Sequence, residues 1–255
     1  MPCYNSQRFI EQSSTSIICQ TFVDFELIII DDNSSDDTRS IVKYFAARDV
    51  RIKYYFLNVN SGAGVATNIG INNSKGRYIA FCDSDDIWFP FKLEKQVAFM
   101  KQNKLSFTYS PYNLMDGSGR FIGLRRSPSS ITYNRTLVQN HIGCLTVVFD
   151  TEIHGRLNMP DIRKRQDYGL FLLILKQIRW TRGLNEPLAA YRVSEKSLSS
   201  NKFKLLKYNF RIYTEVLSYS KARSMVLFTL FLVIYISTRT LNFQNMAYTI
   251  KEAKV

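Results

Sequence analysis

Three carboxylates stand within four residues at Asp83-Ser84-Asp85-Asp86, directly after the apolar run Tyr78-Ile79-Ala80-Phe81-Cys82. Such a run reads as a buried strand, so the chain carries several negative charges to the rim of a sheet. Two carboxylates about 4 Å apart repel by roughly 4 kcal/mol at an effective dielectric near 20. A fold keeps that arrangement when a hard cation, which prefers oxygen ligands, neutralises it. Asp31, Asp32, Asp36 and Asp37 follow the other strongly apolar run, Phe25 to Ile30. The chain has 21 Asp and Glu against 34 Lys and Arg, and seven of the 21 sit in these two clusters. That concentration points to a metal-dependent site.

With 255 residues and 45% apolar content, the chain can bury one sizeable core and a small appendage. The aromatic content and the long apolar runs exclude a disordered chain. A net charge of +13 suggests an anionic partner: a nucleotide, a nucleic acid or lipid headgroups. Cys3, Cys19, Cys82 and Cys144 show no metal-ligand spacing and are too sparse for a disulfide scaffold, so they read as reduced, buried thiols of a cytosolic protein. The N-terminus has no secretory pattern. Met1-Pro2-Cys3-Tyr4-Asn5 instead reads as the exit of a strand whose body is missing before residue 1.

From Arg8 to about Gln102, helical and strand patterns alternate at βαβ spacing, which predicts a parallel sheet with helices on both faces. Helices are expected over Ile10 to Gln20, Asp36 to Ala47, Ala63 to Asn73 and Lys92 to Gln102. Strands are expected over Phe25 to Ile30, Arg51 to Leu57 and Arg77 to Cys82. After Leu105 come short strand segments around the turn Asp116-Gly117-Ser118-Gly119, a buried strand over Cys144 to Phe149 and a helix over Tyr168 to Ile178. A last strand over Glu186 to Val193 precedes a linker, Ser194 to Asn201. This divides the chain into a catalytic-type domain over residues 1–200 and a basic helical tail over 201–255.

Within the tail, Met225 to Ile236 is apolar apart from Thr229. Twelve residues are too few for a spanning helix, which needs about 20. An in-plane anchor beside Lys202, Lys204, Lys207, Arg211 and Lys221 fits the pattern, as does a helical hairpin covering the core.

Met1-Pro2-Cys3-Tyr4-Asn5, Gln20-Thr21-Phe22 and Phe25 through Ser34 stand in order ahead of Asn60-Ser61-Gly62, Asn68-Ile69-Gly70 and Lys75 through Asp86. Lys164-Arg165-Gln166-Asp167-Tyr168 and Tyr191-Arg192-Val193 follow. Together these segments resemble the GT-A-fold family 2 glycosyltransferases of bacterial surface polysaccharide synthesis. The resemblance covers residue 1 to about 200. It implies an α/β GT-A nucleotide-diphospho-sugar transferase fold, a Rossmann-like mixed sheet with helices on both faces, plus the C-terminal helical tail. Thr67 stands where many members carry an arginine, and Gln166 where glutamate is more usual.

The reaction so implied moves a sugar from a nucleotide diphosphate, UDP in the first instance, to an acceptor hydroxyl in O-antigen, capsule or exopolysaccharide synthesis. Asp85 is the expected ligand of Mg²⁺ or Mn²⁺, with Asp83 holding the ribose or a metal-bound water. Asp32 would bind the nucleotide base, against which Pro2 and Tyr4 would pack. Asp86 reads as a cap or a supporting partner, and Asp36 and Asp37 as helix-start carboxylates. Asp167 is the expected general base, giving single displacement with inversion; from position alone it would be the cap of the helix from Tyr168. His141 reads as a satisfied core or surface histidine at the edge of the acceptor region.

The expected partners are therefore a nucleotide-sugar donor, a lipid-linked or saccharide acceptor and the inner face of the cell membrane, with no nucleic acid. Two rival readings remain at this level. Gly62-Ala63-Gly64 opens a helix about 20 residues before Asp83, as in an NAD(P)-binding oxidoreductase, but the third glycine is absent. A non-catalytic basic protein that binds membranes explains the charge and leaves the acidic clusters unexplained.

Overall fold

Both faces of the strand Leu27–Asp31 are covered, which is why all five of its residues are buried. Ile29 packs with Ile10, Ile17 and Val42 on one side. Ile28 and Ile30 pack with Ala66 on the other. Each fully buried isoleucine contributes roughly 1.5–3 kcal/mol, and the alternation fixes the register of the sheet. The computed structural model describes residues 1–193 and 202–252, with the side chains of 202–205 and 239–252 excepted. The expected linker Ser194 to Asn201 and the side chains of Lys202, Lys204 and Arg239 lie outside the described residues.

In chain order, β1 (Pro2–Cys3), α1 (Ile10–Ile18), β2 (Leu27–Asp31), α2 (Thr38–Ala46) and β3 (Ile52–Phe56) form a parallel unit with strand order β1-β2-β3. Then α3 (Ala63–Asn73) leads to β4 (Tyr78–Ala80), the acidic turn and β5 (Ile87–Trp88). Next come α4 (Lys92–Asn103), β6 (Phe107–Thr108), β7 (Tyr112–Met115), β8 (Phe121–Arg125), β9 (Ser130–Thr132) and α5 (Tyr133–Val138). The order closes with β10 (Val148–Asp150), α6 (Thr151–His154), α7 (Gln166–Ile178), β11 (Trp180–Arg182), β12 (Ala189–Arg192), α8 (Lys202–Arg211) and α9 (Lys221–Glu252).

The parallel pattern stops earlier than the sequence suggests. β4 pairs antiparallel with β10, a strand drawn from far along the chain, and β10 pairs antiparallel with β6. A second mixed sheet, β5-β12-β7-β8, stands beside the acidic turn. The expected strand over Cys144 to Phe149 begins as a 3₁₀ turn over Cys144–Thr146. Gly143 stands at the start of that turn, packed so close to the Tyr112 ring that a Cβ there would come within 2.6 Å of it. Thr146 then closes the turn with its amide and hydroxyl on the Gly143 carbonyl, at 3.0 and 2.8 Å. Cys19 departs from expectation too: it is exposed just beyond α1, while Cys3 and Cys82 are buried.

The Met1 ammonium is buried and donates to the Ile28 carbonyl at 2.8 Å; burial holds its pKa below the ordinary value. Beside it, a cavity of about 580 Å³ opens between β2 and β4, lined by Ile28, Ile30, Ile79, Phe81 and Trp88 among others. Its walls are mostly apolar, with Asp24, Glu26, Lys75, Arg77 and Lys101 among the lining.

Beyond residue 201 the chain joins the main core. Tyr213 is fully buried and donates to the Leu137 carbonyl, and Ile212 and Leu217 pack in the same cluster as Tyr168 and Phe171. In α9, Phe231 is buried, and Leu227 and Phe228 pack against that cluster, whereas Met225, Val226, Leu230, Val233 and Ile236 are exposed. The continuous helix is longer than the apolar run alone implied. Over Lys221–Thr238 its mean hydropathy is 1.4, enough by length and composition to cross a membrane.

Candidate active site

β4 ends at Ala80, and the next turn places Asp83, Asp85 and Asp86 between the two sheets. Ser84 anchors the turn: its hydroxyl lies 2.7 Å from that of Ser6, and its carbonyl accepts from the Ser13 hydroxyl at 2.9 Å. Asp83 keeps an exposed side chain, yet much protein lies close around it. That surrounding protein pushes its pKa up to about 6, and Asp85 and Asp167 add to the rise. Asp85 is raised by burial, against the opposing pull of Arg192. Asp167 is raised by burial as well, opposed by the Tyr168 amide and Arg165. Asp85 and Asp167 thus both lie within electrostatic reach of Asp83, a local excess of negative charge.

The fourth, Asp86, has a structural task. It is buried, and its Oδ1 accepts from the Arg192 amide at 2.9 Å, tying the turn to β12. Burial, then Asp83 and Asp85, hold its pKa well above the carboxylate range. Arg192 completes the brace, donating to the Asp85 carbonyl at 2.8 Å, the Asp116 carbonyl at 3.1 Å and Gln12 at 2.7 Å. The sequence places Arg192 in a closing segment and gives no hint of this role, because its partners are far away along the chain.

Asp167 is not the helix cap. α7 begins one residue earlier, at Gln166, and Arg165 takes the cap position in the left-handed region without a side-chain bond. The start of α3 brings this segment toward Asp32. The Gln166 side chain packs on the start of α3: its Nε2 would lie 2.3 Å from a Cβ on Gly64, so a larger residue there would push the Gln166 side chain aside. Asp32 is buried, and its two carboxylate oxygens accept from the Ser61 and Gly62 amides, each at 2.7 Å. Asp32 and the Gln166 side chain, next to Asp167 in sequence, therefore meet at the start of α3. The oxidoreductase reading needs those amides for a pyrophosphate, and a carboxylate already occupies them.

Pro2 forms part of β1, and Tyr4 lies just beyond it with its ring half exposed. Asp31 is fully buried and serves the fold, holding Arg39 through two bonds of 3.2 and 3.1 Å. Asp36 accepts from the Gln7 and Thr38 amides at 3.1 Å, joining the loops after β1 and β2. His141 is half buried, and its Nε2 has no partner among the described residues, contrary to the satisfied histidine expected.

Residues 1–149 match the family described as glycosyl transferase family 2. The chain belongs to this family. It is 42% identical to TuaG of Bacillus subtilis (strain 168), named for teichuronic acid biosynthesis, over 84% of this chain and 86% of that one. It is 37% identical to WfgD of Escherichia coli, a UDP-Glc:alpha-D-GlcNAc-diphosphoundecaprenol beta-1,3-glucosyltransferase, over 96% of this chain and 95% of that one. Among solved structures it resembles the mannosyltransferase PcManGT from Pyrobaculum calidifontis in complex with GDP-Man and Mn²⁺. That likeness has a TM-score of 0.64 at 13% identity, over 98% of this chain and 79% of that chain, and it shows the GT-A fold.

In this family 2 glycosyltransferase, the donor set fits a divalent cation shared with phosphate. Among the described residues, neither Asp83 nor Asp85 is paired with a lysine or arginine side chain, and no group of three or more acidic, histidine or cysteine side chains forms a closed cage. Mg²⁺ and Mn²⁺ favour such a half-site, taking one or two carboxylates and completing their shell with water and diphosphate oxygens.

Proposed function

We propose that this protein transfers a sugar from a UDP-sugar, with inversion, onto a lipid-diphosphate-linked acceptor in surface polysaccharide assembly. The observation that carries this reading is the gathering of Asp85 and Asp167 within electrostatic reach of Asp83. The names of TuaG and WfgD support the pathway, the UDP donor and the acceptor class.

In this reading, Pro2 and Tyr4 pack on the nucleotide base, Asp32 accepts a hydrogen bond from it, and Asp83 holds the ribose or a metal-bound water. A Mg²⁺ or Mn²⁺ held by Asp85 supplies Lewis-acid stabilisation of the charge that develops on the diphosphate. Asp167 takes the proton of the acceptor hydroxyl. As the acceptor oxygen bonds to the anomeric carbon, the bond from that carbon to the phosphate oxygen breaks and its electron pair leaves with UDP. With one base on the face opposite the leaving group, a single displacement inverts the carbon. The raised pKa of Asp167 makes it a stronger base than an ordinary carboxylate.

A calorimetric screen of nucleotide sugars with Mn²⁺ tests the donor. UDP-sugars are expected to bind only with the metal, and the product formed on a lipid-diphosphate acceptor is expected to show an inverted anomeric centre. Binding of NAD(H) without metal, and of no nucleotide sugar, would overturn the reading.

The same proposal places the enzyme on the membrane surface. α9 is apolar on the side facing the core and on the side facing out, and a helix apolar all round needs an apolar medium for its second face. Residues 1–200 would then carry the chemistry and the tail the anchorage. Deleting the whole tail would also remove Tyr213 from the core, a loss of about 3–5 kcal/mol for that ring alone. The cleaner experiment changes exposed groups only. Combined Met225→Ser, Leu230→Ser and Val233→Ser is expected to move the protein from the membrane pellet to the supernatant with Tm unchanged. Retention in the pellet would refute the anchor.

A further inference from the structure

β8 is exposed along its whole length and pairs only with β7, so one edge of the second sheet is open. Its apolar side chains face water: Phe121 is 61% exposed, Ile122 56% and Leu124 44%. A soluble edge strand ordinarily carries charges in such positions. The charges here are gathered at one end. Arg125 and the neighbouring Arg126 are exposed and have no ion pair among the described residues, whereas Arg120 is held by Asp116 at 3.1 Å.

Arg125 also points the strand toward the chemistry. It stands opposite Tyr112 in the β7–β8 register. The Tyr112 hydroxyl lies within electrostatic reach of both Arg125 and Asp167. His141, whose Nε2 is buried without a partner among the described residues, lies within reach of Arg125 as well. The hairpin is fixed to the acidic turn, because Arg192 bonds the carbonyls of both Asp85 and Asp116.

We propose that β8 is the docking strand for a lipid diphosphate: Arg125 and His141 bind the diphosphate of the acceptor, and Phe121, Ile122 and Leu124 meet its hydrocarbon chain. The occupant is argued from charge and polarity. A guanidinium free of acidic partners suits a dianionic or trianionic diphosphate; Phe121 and Leu124, paired with Met115 and Asn113, stand on the other face of the hairpin from Arg125 and Tyr112, so the hydrocarbon chain would cross the open edge of β8 to reach them. This inference rests on the glycosyltransferase reading for its connection to Asp167 and names the surface on which that acceptor sits.

The test uses the full chain, without donor, and phosphatidylcholine vesicles with and without undecaprenyl diphosphate. Wild type is expected to bind the diphosphate-bearing vesicles at least tenfold more tightly than plain ones. Arg125→Gln should lose most of that gain while binding plain vesicles as wild type does, and Arg120→Gln should keep it. Combined Phe121→Ser and Ile122→Ser should weaken binding to both vesicles several-fold. No diphosphate-dependent gain in wild type, or the same gain in Arg125→Gln, overturns the proposal; so does an equal loss in both arginine variants, which marks diffuse charge. Because no donor is present, a failure of sugar transfer would sink the glycosyltransferase reading and leave this measurement standing.

Discussion

Asp167→Asn is expected to lower kcat by roughly 10²–10⁴-fold, the range that a positioned general base supplies, while metal-dependent donor binding persists. The asparagine keeps the shape of the side chain and removes the proton acceptor. It also removes a negative charge that helps to raise Asp83. Asp83 should then ionise at lower pH, so donor affinity is maintained or extended downward in pH, and Tm should not fall. In wild type the rate should climb with pH as Asp167 loses its proton, with the midpoint above the ordinary carboxylate range because burial raises it. The variant's residual rate should lose that limb of the profile. Single-turnover transfer and titration of UDP-sugar with Mn²⁺, run side by side, check the split. A variant that binds donor normally and transfers at the wild-type rate would remove Asp167 from the mechanism.

Local pattern carried the fold where the chain folds locally. The buried run at β2 and the bounds of α3 follow from apolar spacing within a few residues, and the structure places them almost where that spacing does. Reading fails where a long-range partner decides. Nothing near Val148 announces that β10 returns antiparallel to β4, and nothing near Cys144 announces the Tyr112 ring packed on Gly143 where the turn starts. The acidic clusters show the same division. Asp31 and Asp32 are neighbours with similar surroundings in sequence, but Asp31 faces Arg39, and Asp32 faces two amides at the start of α3. Arg192 was visible only as part of a motif; its brace joins a helix, a turn and a hairpin that meet only in the folded chain. The position of Asp167 was ambiguous by spacing, since a cap and a base occupy the same place in a sequence. The structure moves Asp167 from the cap position into the first turn of α7, which starts at Gln166.

Asp85→Ala is expected to abolish transfer and, unlike the change at Asp167, to remove the dependence of donor binding on metal. The metal-free protein carries a cost at this site that depends on pH. Asp83 has a pKa of about 6 in the folded chain, above the value near 3.9 expected when unfolded. The folded state therefore binds more protons than the unfolded state between those values, and stability falls as pH rises from about 4 through about 6. Above that window the carboxylates are charged and repel each other, which is the state a divalent cation binds. Mn²⁺ should consequently raise Tm more at pH 7.5 than at pH 5. At a hundred times its Kd, a metal that binds only the folded state adds about 2.7 kcal/mol, or roughly 5–10 °C for a chain of this size. In Asp85→Ala the Mn²⁺ shift should vanish, and the metal-free Tm at pH 7.5 should stay level or rise because a like charge beside Asp83 is gone. An unchanged Mn²⁺ shift in the variant would place the cation elsewhere and leave the acidic turn without its counter-charge.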